Sequence, residues 1–169
     1  MNRLGGAVLA ALLWAPALAA APLDVPLFPD RTDQCGPSAL AGVLKFWGGD
    51  ADPAKLKPEI YRSSLKGSLP MDLMLAARDR GMNAEILEGG LPSVKKELEA
   101  GRPVIAFVNR GFQLLPVGHF LVVTGADDAR GGIYANSGAR KNQFIPYKTF
   151  EKQWERTERW ALSISPNAR

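Results

Sequence analysis

The order of helical and strand-like patterns most constrains the fold of this chain. Between residues 37 and 80 apolar residues recur at helical spacing, in stretches that begin at Pro or end at Gly. After Gly81, short apolar runs of strand length alternate with Gly-containing turns. Helices first and a mostly antiparallel sheet second is the α+β arrangement. We therefore expect an α+β fold with N-terminal helices packed on a C-terminal sheet.

The predicted elements follow from these signals. The pattern predicts helices over residues 37–47, 53–62, 70–80, 92–100 and 147–154. It predicts strands over residues 83–87, 103–108, 118–125, 131–135, 143–146 and 159–164. Residues 24–33 are proline-rich and read as an extended segment, in which residues 25–28 could form an edge strand. Residues 63–69 and 109–117 are predicted loops, where specificity pockets are commonly built.

The N-terminus has the three regions of an export signal. One positive charge, an apolar stretch over residues 4–18 and a small-residue pattern at residues 17–19 occur in that order. The alternative is a buried N-terminal helix. We expect residues 1–19 to be a cleaved signal peptide, residues 20–169 to form a single domain, and the mature protein to be periplasmic or secreted without an integral membrane segment.

Charge argues against a nucleic-acid partner. The chain has 21 Lys and Arg against 17 Asp and Glu, a net charge of +4. These basic residues are scattered, whereas a protein that tracks a phosphate backbone clusters them. We therefore expect no nucleic acid among the partners.

The chain contains one cysteine, Cys35, and one histidine, His119. A lone cysteine in an exported protein cannot form an internal disulfide, so it is either a buried small hydrophobe or a functional thiol. One cysteine and one histidine cannot supply the four nitrogen or sulfur ligands of a structural zinc site, and we expect no metal or other cofactor.

Their sequence positions favour nucleophilic chemistry. Cys35 precedes Pro37 at the predicted start of the first helix, and His119 follows Gly118 at the start of a predicted strand. A helix N-terminus and a neighbouring histidine both lower a thiol pKa. We therefore expect an activated thiol with His119 as its base; a purely structural His119 is the alternative.

Two motifs carry a family resemblance. The sequence DQCGPSAL at residues 33–40, followed by GHFLVVTG at residues 118–125, resembles the double-glycine, or bacteriocin-processing, cysteine peptidases and their stand-alone exported relatives. The resemblance implies a papain-like domain that covers most of the mature chain. It also implies Cys35 as nucleophile and His119 as general base.

The same resemblance implies a third catalytic residue. Such enzymes carry an Asp or Asn about one strand after the histidine, which orients the imidazole, and Asn136 lies in that position. The alternative is that Asn136 only supplies the turn before Gly138. Asp127 and Asp128 are further candidates for the orienting residue.

The oxyanion position departs from the family pattern. These enzymes usually have a glutamine several residues before the cysteine, whose amide helps a backbone N–H stabilise the tetrahedral intermediate. Here Asp30 lies nearest to that position, and an ionised carboxylate would repel an oxyanion. Gln34, adjacent to Cys35, is the candidate substitute, although its side chain could equally point away.

Three functional hypotheses follow. The first is an exported cysteine peptidase that cleaves a secreted polypeptide, after small residues such as Gly-Gly, through Cys35, His119 and Asn136. The second is a catalytically silent homologue that binds a peptide tail, suggested by the missing glutamine. The third is a papain-like thiol transferase or amidase. The expected partners are a polypeptide or peptide tail and a separately encoded export system.

Overall fold

The computed structural model describes residues 21–30, 33–112 and 114–167. The predicted signal peptide lies outside these residues. The helices are α1 (Cys35–Phe46), α2 (Pro53–Ile60), α3 (Pro70–Arg78), α4 (Leu91–Glu99) and α5 (Tyr147–Trp154). The strands are β1 (Tyr61–Arg62), β2 (Gly67–Ser68), β3 (Met82–Ile86), β4 (Val104–Asn109), β5 (Gly118–Asp127), β6 (Gly132–Ser137), β7 (Arg140–Pro146) and β8 (Ala161–Pro166). This element order confirms the predicted α+β fold.

Six strands form one antiparallel sheet in the order β3-β8-β4-β5-β6-β7. Strands β1 and β2 form a separate two-stranded hairpin. Helix α2 therefore ends at Ile60, two residues before the predicted end, and the predicted loop 63–69 contains β2. In the sheet, Val108 of β4 lies opposite His119 of β5, and Val122 of β5 lies opposite Asn136 of β6. The register therefore brings the predicted histidine to the end of a central strand.

The sheet is covered on both faces. Helices α1, α2 and α3 pack on one face, against a cluster that includes Ile105 and Phe120. Helices α4 and α5 pack on the other face, where Leu121 lies in the second cluster with Phe150 and Trp154. Neighbouring residues of β4 and β5 thus belong to different clusters. Burial on both faces explains why these strands read as continuous apolar runs.

Residues 22–30, here called the leading segment, lie between α1 and the sheet without forming a strand. The Leu23 N–H donates to the Thr124 carbonyl over 2.8 Å, and Val25 is fully buried. The edge strand considered at residues 25–28 is therefore wrong. Proline has no N–H to donate, so Pro26 cannot take a full part in a ladder.

Within the described residues, no helix is both long enough and apolar enough to cross a membrane.

Candidate active site

Cys35 is the first residue of α1. Gln34 occupies the N-cap position, and Pro37 lies in the first turn, where a missing N–H does no harm. A Cβ on Gly36 would come within 2.6 Å of the Ser68 Oγ, so glycine allows the helix start to approach the β1–β2 hairpin. The first N–H groups of a helix have no acceptor within the helix. The Cys35 thiol thus lies beside outward-pointing backbone donors.

His119 is the second residue of β5 and is 6% exposed. One ring nitrogen of His119, the Sγ of Cys35 and one carboxylate oxygen of Asp30 all lie within 4.8 Å of one another. The two residues predicted as nucleophile and base therefore meet. Asp30, the last residue of the leading segment, joins them.

The hydrogen-bond partner of the His119 ring is Ser137, the last residue of β6. The His119 Nε2 lies 3.0 Å from the Ser137 Oγ. The same hydroxyl oxygen accepts a hydrogen bond from the Arg110 guanidinium. A register shift between Ala135 and Ser137 interrupts the pairing of β6 with β7, and such irregularities re-aim side chains.

Asn136 makes different contacts from those predicted. Its Nδ2 donates to the Val25 carbonyl over 2.9 Å, and its Oδ1 accepts from the Asn142 N–H over 2.9 Å. The predicted hydrogen bond to His119 does not occur among the described residues, because the amide is engaged elsewhere and its register position faces Val122. Asn136 instead fastens the leading segment to the sheet.

The two alternative orienting residues lie at the far end of β5. Asp127 is eight residues from His119, which corresponds to roughly 26 Å along a strand, and accepts from the Arg130 N–H and the Tyr134 hydroxyl. Asp128 binds Lys95 and Tyr147. Both carboxylates make their contacts at the far end of β5, so neither can orient His119.

Gln34 and Asp30 are linked through the backbone. The Gln34 N–H donates to the Asp30 Oδ1 over 3.0 Å, and the Gln34 side chain makes no capping bond to α1. The Asp30 carboxylate lies beside the Cys35 thiol and the His119 ring, and a role of the Gln34 side chain at the oxyanion stays a prediction. The position that departs from the family pattern faces the reacting groups.

Burial governs the protonation of Cys35 and His119. Burial, reinforced by the nearby Arg110 charge, lowers the pKa of His119 to about 3. Burial also raises the pKa of Cys35; hydrogen bonding from the Phe120 N–H opposes this, and the Asp30 charge adds to it. The expectation of a lowered thiol pKa is therefore wrong, because desolvation outweighs the helix N-terminus. Near neutral pH, the pair consists of a thiol and an uncharged imidazole.

Asp30 also departs from ordinary carboxylate behaviour. Burial raises its pKa, and the Gln34 N–H works in the opposite direction. The charge of Asp33 raises this pKa further, whereas that of Arg110 lowers it. The protonated acid is therefore more accessible here than at a solvent-exposed aspartate.

A cavity of about 470 Å³ opens over these groups. It is lined by both loops predicted to carry specificity. One wall is the β1–β2 hairpin, with Leu65 and Lys66, and another is the β4–β5 loop, with Pro116 and Val117. The β4–β5 loop exposes large apolar side chains outside the cavity, including Phe112 at 78% and Leu114 at 93% exposure. The cleft therefore has an apolar rim.

Asp30, Cys35 and His119 are also groups of the types that bind metal ions. A cation would lie at the positive end of α1 and near the Arg110 guanidinium, whose charge acts on both Asp30 and Cys35. Both features favour negative charge. We therefore interpret the cluster as a catalytic centre that accommodates an anion.

The comparison with sequence families decides the classification. A model of the Peptidase_C39 like family matches residues 22–162. The chain belongs to this family. It is a cysteine peptidase, and the suspected resemblance is confirmed.

Solved structures support the same fold for this C39-like peptidase. A C39-like peptidase from Bacillus anthracis is 19% identical with a TM-score of 0.70, covering 86% of this chain and 96% of that one. A double-glycine motif protease from an AMS/PCAT transporter, in complex with a leader peptide, is 23% identical with a TM-score of 0.69, covering 86% and 94%. The peptidase domain of Streptococcus ComA, a bifunctional ABC transporter, is 20% identical with a TM-score of 0.67, covering 83% and 98%. The predicted papain-like fold is confirmed.

The comparison with curated proteins found no match.

Sequence reasoning missed two residues of the C39-like peptidase site. Arg110 lies in a loop and belongs to no recognisable motif, so the sequence gives no sign that folding brings its guanidinium to Ser137. Ser137 directly follows Asn136, and its hydroxyl is the only sequence signal that could have suggested it. The sequence marks Asp30 as a departure from the family pattern, but gives no sign that its carboxylate faces the reacting groups.

Proposed function

We propose that this cysteine peptidase cleaves an exported polypeptide, with Cys35 as nucleophile and His119 as general base. The observation that carries the proposal is the close approach of the Cys35 Sγ to a His119 ring nitrogen at the bottom of an open cleft. They are the chain's only cysteine and only histidine, so no other pair could perform this chemistry.

The reaction begins from the uncharged pair. The thiol attacks the scissile carbonyl carbon as its proton moves to His119, a carbon–sulfur bond forms and the carbonyl oxygen becomes an oxyanion. Collapse of this intermediate breaks the carbon–nitrogen bond, and His119 gives the proton to the leaving amine. A water molecule, deprotonated by His119, then hydrolyses the thioester and restores the thiol.

Ser137 orients His119 in this proposal. A hydroxyl oxygen has two lone pairs and can accept from both Arg110 and the His119 Nε2–H. This arrangement leaves Nδ1 as the nitrogen that takes the thiol proton. Asn136 acts indirectly. Its hydrogen bond to the Val25 carbonyl holds the leading segment, which carries Asp30.

The substrate is proposed to be an extended, apolar peptide with small residues before the cleaved bond. The apolar rim of the cleft supports an apolar segment. The double-glycine protease described above is in complex with a leader peptide, which supports cleavage after a pair such as Gly-Gly. The predicted signal peptide supports a periplasmic or secreted location, and we propose that a separately encoded export system delivers the substrate.

A panel of quenched fluorescent peptides tests this function. The panel holds apolar segments that end in Gly-Gly, Gly-Ala or Ala-Ala before the cleaved bond, with Leu-Leu as the matched control. We expect hydrolysis by the mature protein and none above background in Cys35→Ala or His119→Ala. Mass spectrometry of the products locates the cleaved bond. Hydrolysis that persists in Cys35→Ala would refute the proposal.

A peptide-binding domain without turnover is the second candidate, because the raised pKa of Cys35 favours an unreactive thiol. This candidate predicts that the wild-type protein and Cys35→Ala bind the same peptides with equal affinity and that neither cleaves them. Fluorescence anisotropy with the same panel separates the two functions.

A further inference from the structure

Asp30 occupies a position in which a carboxylate has no obvious use. Its side chain lies within 4.8 Å of both the nucleophile and the base, and it lines the cleft. The Gln34 N–H holds Oδ1, and the leading segment is fixed behind it, since the Asp30 N–H donates to the Gly138 carbonyl over 3.2 Å. The carboxyl group is thus held beside the nucleophile and the base, facing the cleft.

We propose that Asp30 is a catalytic residue that donates a hydrogen bond to the oxyanion as a protonated carboxylic acid, so that this peptidase is most active at acidic pH. The inference rests on the proposed function. A neutral carboxylic acid has one O–H donor, whereas the ionised group has none and repels negative charge. A buried carboxylic acid that donates to an oxyanion is known chemistry at enzyme sites.

The charged surroundings of Asp30 set its titration. The other titratable residues of the cavity lining come from several elements. They are Asp33 just before α1, Cys35 on α1, Lys66 on the β1–β2 hairpin, Arg110 on the β4–β5 loop and His119 on β5. Burial and Asp33 favour the acid, whereas the Gln34 N–H and Arg110 favour the carboxylate. Burial is the largest influence, which supports a protonated Asp30 above the pH at which an exposed aspartate ionises.

Asp30 keeps its proton during the reaction. As the Cys35 sulfur bonds to the carbonyl carbon, the thiol proton passes to His119, and the Asp30 O–H, with the Cys35 backbone N–H, donates to the new oxyanion. When the carbon–nitrogen bond breaks, the carbonyl re-forms and the Asp30 hydrogen bond weakens. The acid therefore stabilises charge without a net transfer of its proton.

His119 fits operation in acid. A general base must be unprotonated, and the pKa of His119 is about 3, so its imidazole stays neutral at pH 4 to 5. Burial raises the pKa of Asp30 and lowers that of His119, so Asp30 gains its proton before His119 does as the pH falls. The useful state, an acidic Asp30 beside a neutral His119, lies in the interval between the two titrations.

The pH dependence of kcat/KM in the wild-type protein, Asp30→Asn and Asp30→Ala tests the proposal. We expect wild-type kcat/KM to fall at least tenfold as the pH rises from 4 to 8 and Asp30 loses its proton. Asp30→Asn donates N–H at every pH, so its profile should change less than threefold over this range and exceed the wild type at pH 8. Asp30→Ala should lose about a hundredfold at pH 4, the usual effect of removing one oxyanion donor.

Asp33→Asn is the matched control. Asp33 lies in the left-handed region with a φ of 57°, which asparagine tolerates well. Because Asp33 raises the pKa of Asp30, this variant should keep the wild-type fall in kcat/KM but move its midpoint to lower pH. Loss of the pH dependence in Asp33→Asn would show that the wrong carboxylate is invoked.

A peptide aldehyde provides a readout without turnover, since its adduct with Cys35 carries the same oxygen. Its affinity should increase in acid for the wild-type protein but not for Asp30→Ala. If the wild-type protein cleaves peptides and Asp30→Asn has the same pH profile, the role of Asp30 is wrong and the peptidase function stands. If no peptide is cleaved at any pH from 4 to 8, the proposed function fails, and this inference fails with it.

Discussion

At the scale of single residues, desolvation has the largest effect on the chemistry. A helix N-terminus stabilises a thiolate, but only by a modest amount at its first turn, whereas removing an ion from water has a larger opposing effect. For Cys35 the balance favours the thiol, and for His119 it favours the neutral ring. In the proposed mechanism, the thiol therefore gives its proton to His119 as it attacks, without a preformed thiolate–imidazolium ion pair.

The alkylation of Cys35 by iodoacetamide should report this state. Only the thiolate reacts, so the rate should rise with pH and reach its midpoint above about 8.5, the value of a free cysteine. Because the Asp30 charge raises the pKa of Cys35, Asp30→Asn should move the midpoint to lower pH. The urea-unfolded protein is the control and should give the ordinary value. A wild-type midpoint below 7 would contradict the uncharged pair.

Sequence reasoning reaches some of these residues and not others. Cys35 and His119 could be predicted because each is unique in the chain and each follows a recognisable element boundary. The contact of His119 with Ser137 depends on an irregularity in the register of β6, which no local pattern specifies. The balance between the helix N-terminus and burial depends on packing from other elements, so the direction of the thiol pKa could not be predicted.

At the scale of elements, α1 and the leading segment form the rigid support of the site. Helix α1 is buried without interruption from Gly36 to Leu44. A Cβ on Gly42 would lie 2.7 Å from the Pro26 carbonyl oxygen, so this glycine lets the leading segment pass directly beside the helix. Asn136 holds the neighbouring Val25 carbonyl from the sheet. Together these contacts fix where the segment delivers Asp30.

Gly42→Ala should destabilise the protein although alanine is the better helix former. The substitution gains about 1 kcal/mol in helix propensity, but overpacking against a backbone atom costs about 1–3 kcal/mol. We expect the free energy of unfolding, measured by urea denaturation, to fall by about 1 kcal/mol. The control is Gly67→Ala, where the nearest atom is 3.8 Å away and little change is expected. A stabilised Gly42→Ala would show that the leading segment can move aside.

The element boundaries could be predicted closely because local signals mark them. Helix α5 begins and ends at the predicted residues, and β4 differs by one residue at each end. The leading segment has no such signal, since an apolar stretch with prolines is equally compatible with an edge strand and with an extended segment outside the sheet. Its course depends on Thr124, Asn136 and Gly138, which are more than ninety residues away in the chain.

At the scale of the whole molecule, a sheet covered on both faces holds the single histidine among buried groups. Sequence composition gives the number of histidines, but only the three-layer packing shows that this one is buried near a positive charge. In the unfolded chain His119 should titrate near its ordinary value of 6.5. Folding therefore opposes its protonation, which couples the stability of the fold to pH.

The sign of this coupling follows from the protons that each state binds. Between pH 6.5 and pH 3 the unfolded chain carries a proton on His119 and the folded protein does not, so acidification favours unfolding. Asp30 acts in the opposite direction. Its pKa is raised in the folded protein, so acidification neutralises a carboxylate whose charge is unfavourable when it is buried. The Asp30→Asn background removes this opposing contribution.

We therefore expect the free energy of unfolding of Asp30→Asn to fall by about 1.5 kcal/mol between pH 6.5 and pH 5.0, from a His119 pKa of about 3 against 6.5 when unfolded. Asp30→Asn/His119→Gln should lose much less over this interval. Urea denaturation at both pH values measures the difference. Carboxylates with lowered pKa values, such as Glu97, are present in both variants, so their contributions cancel. Equal losses in the two variants would mean that His119 is protonated as readily in the folded protein as in the unfolded chain, and that the fold does not keep the proposed general base neutral.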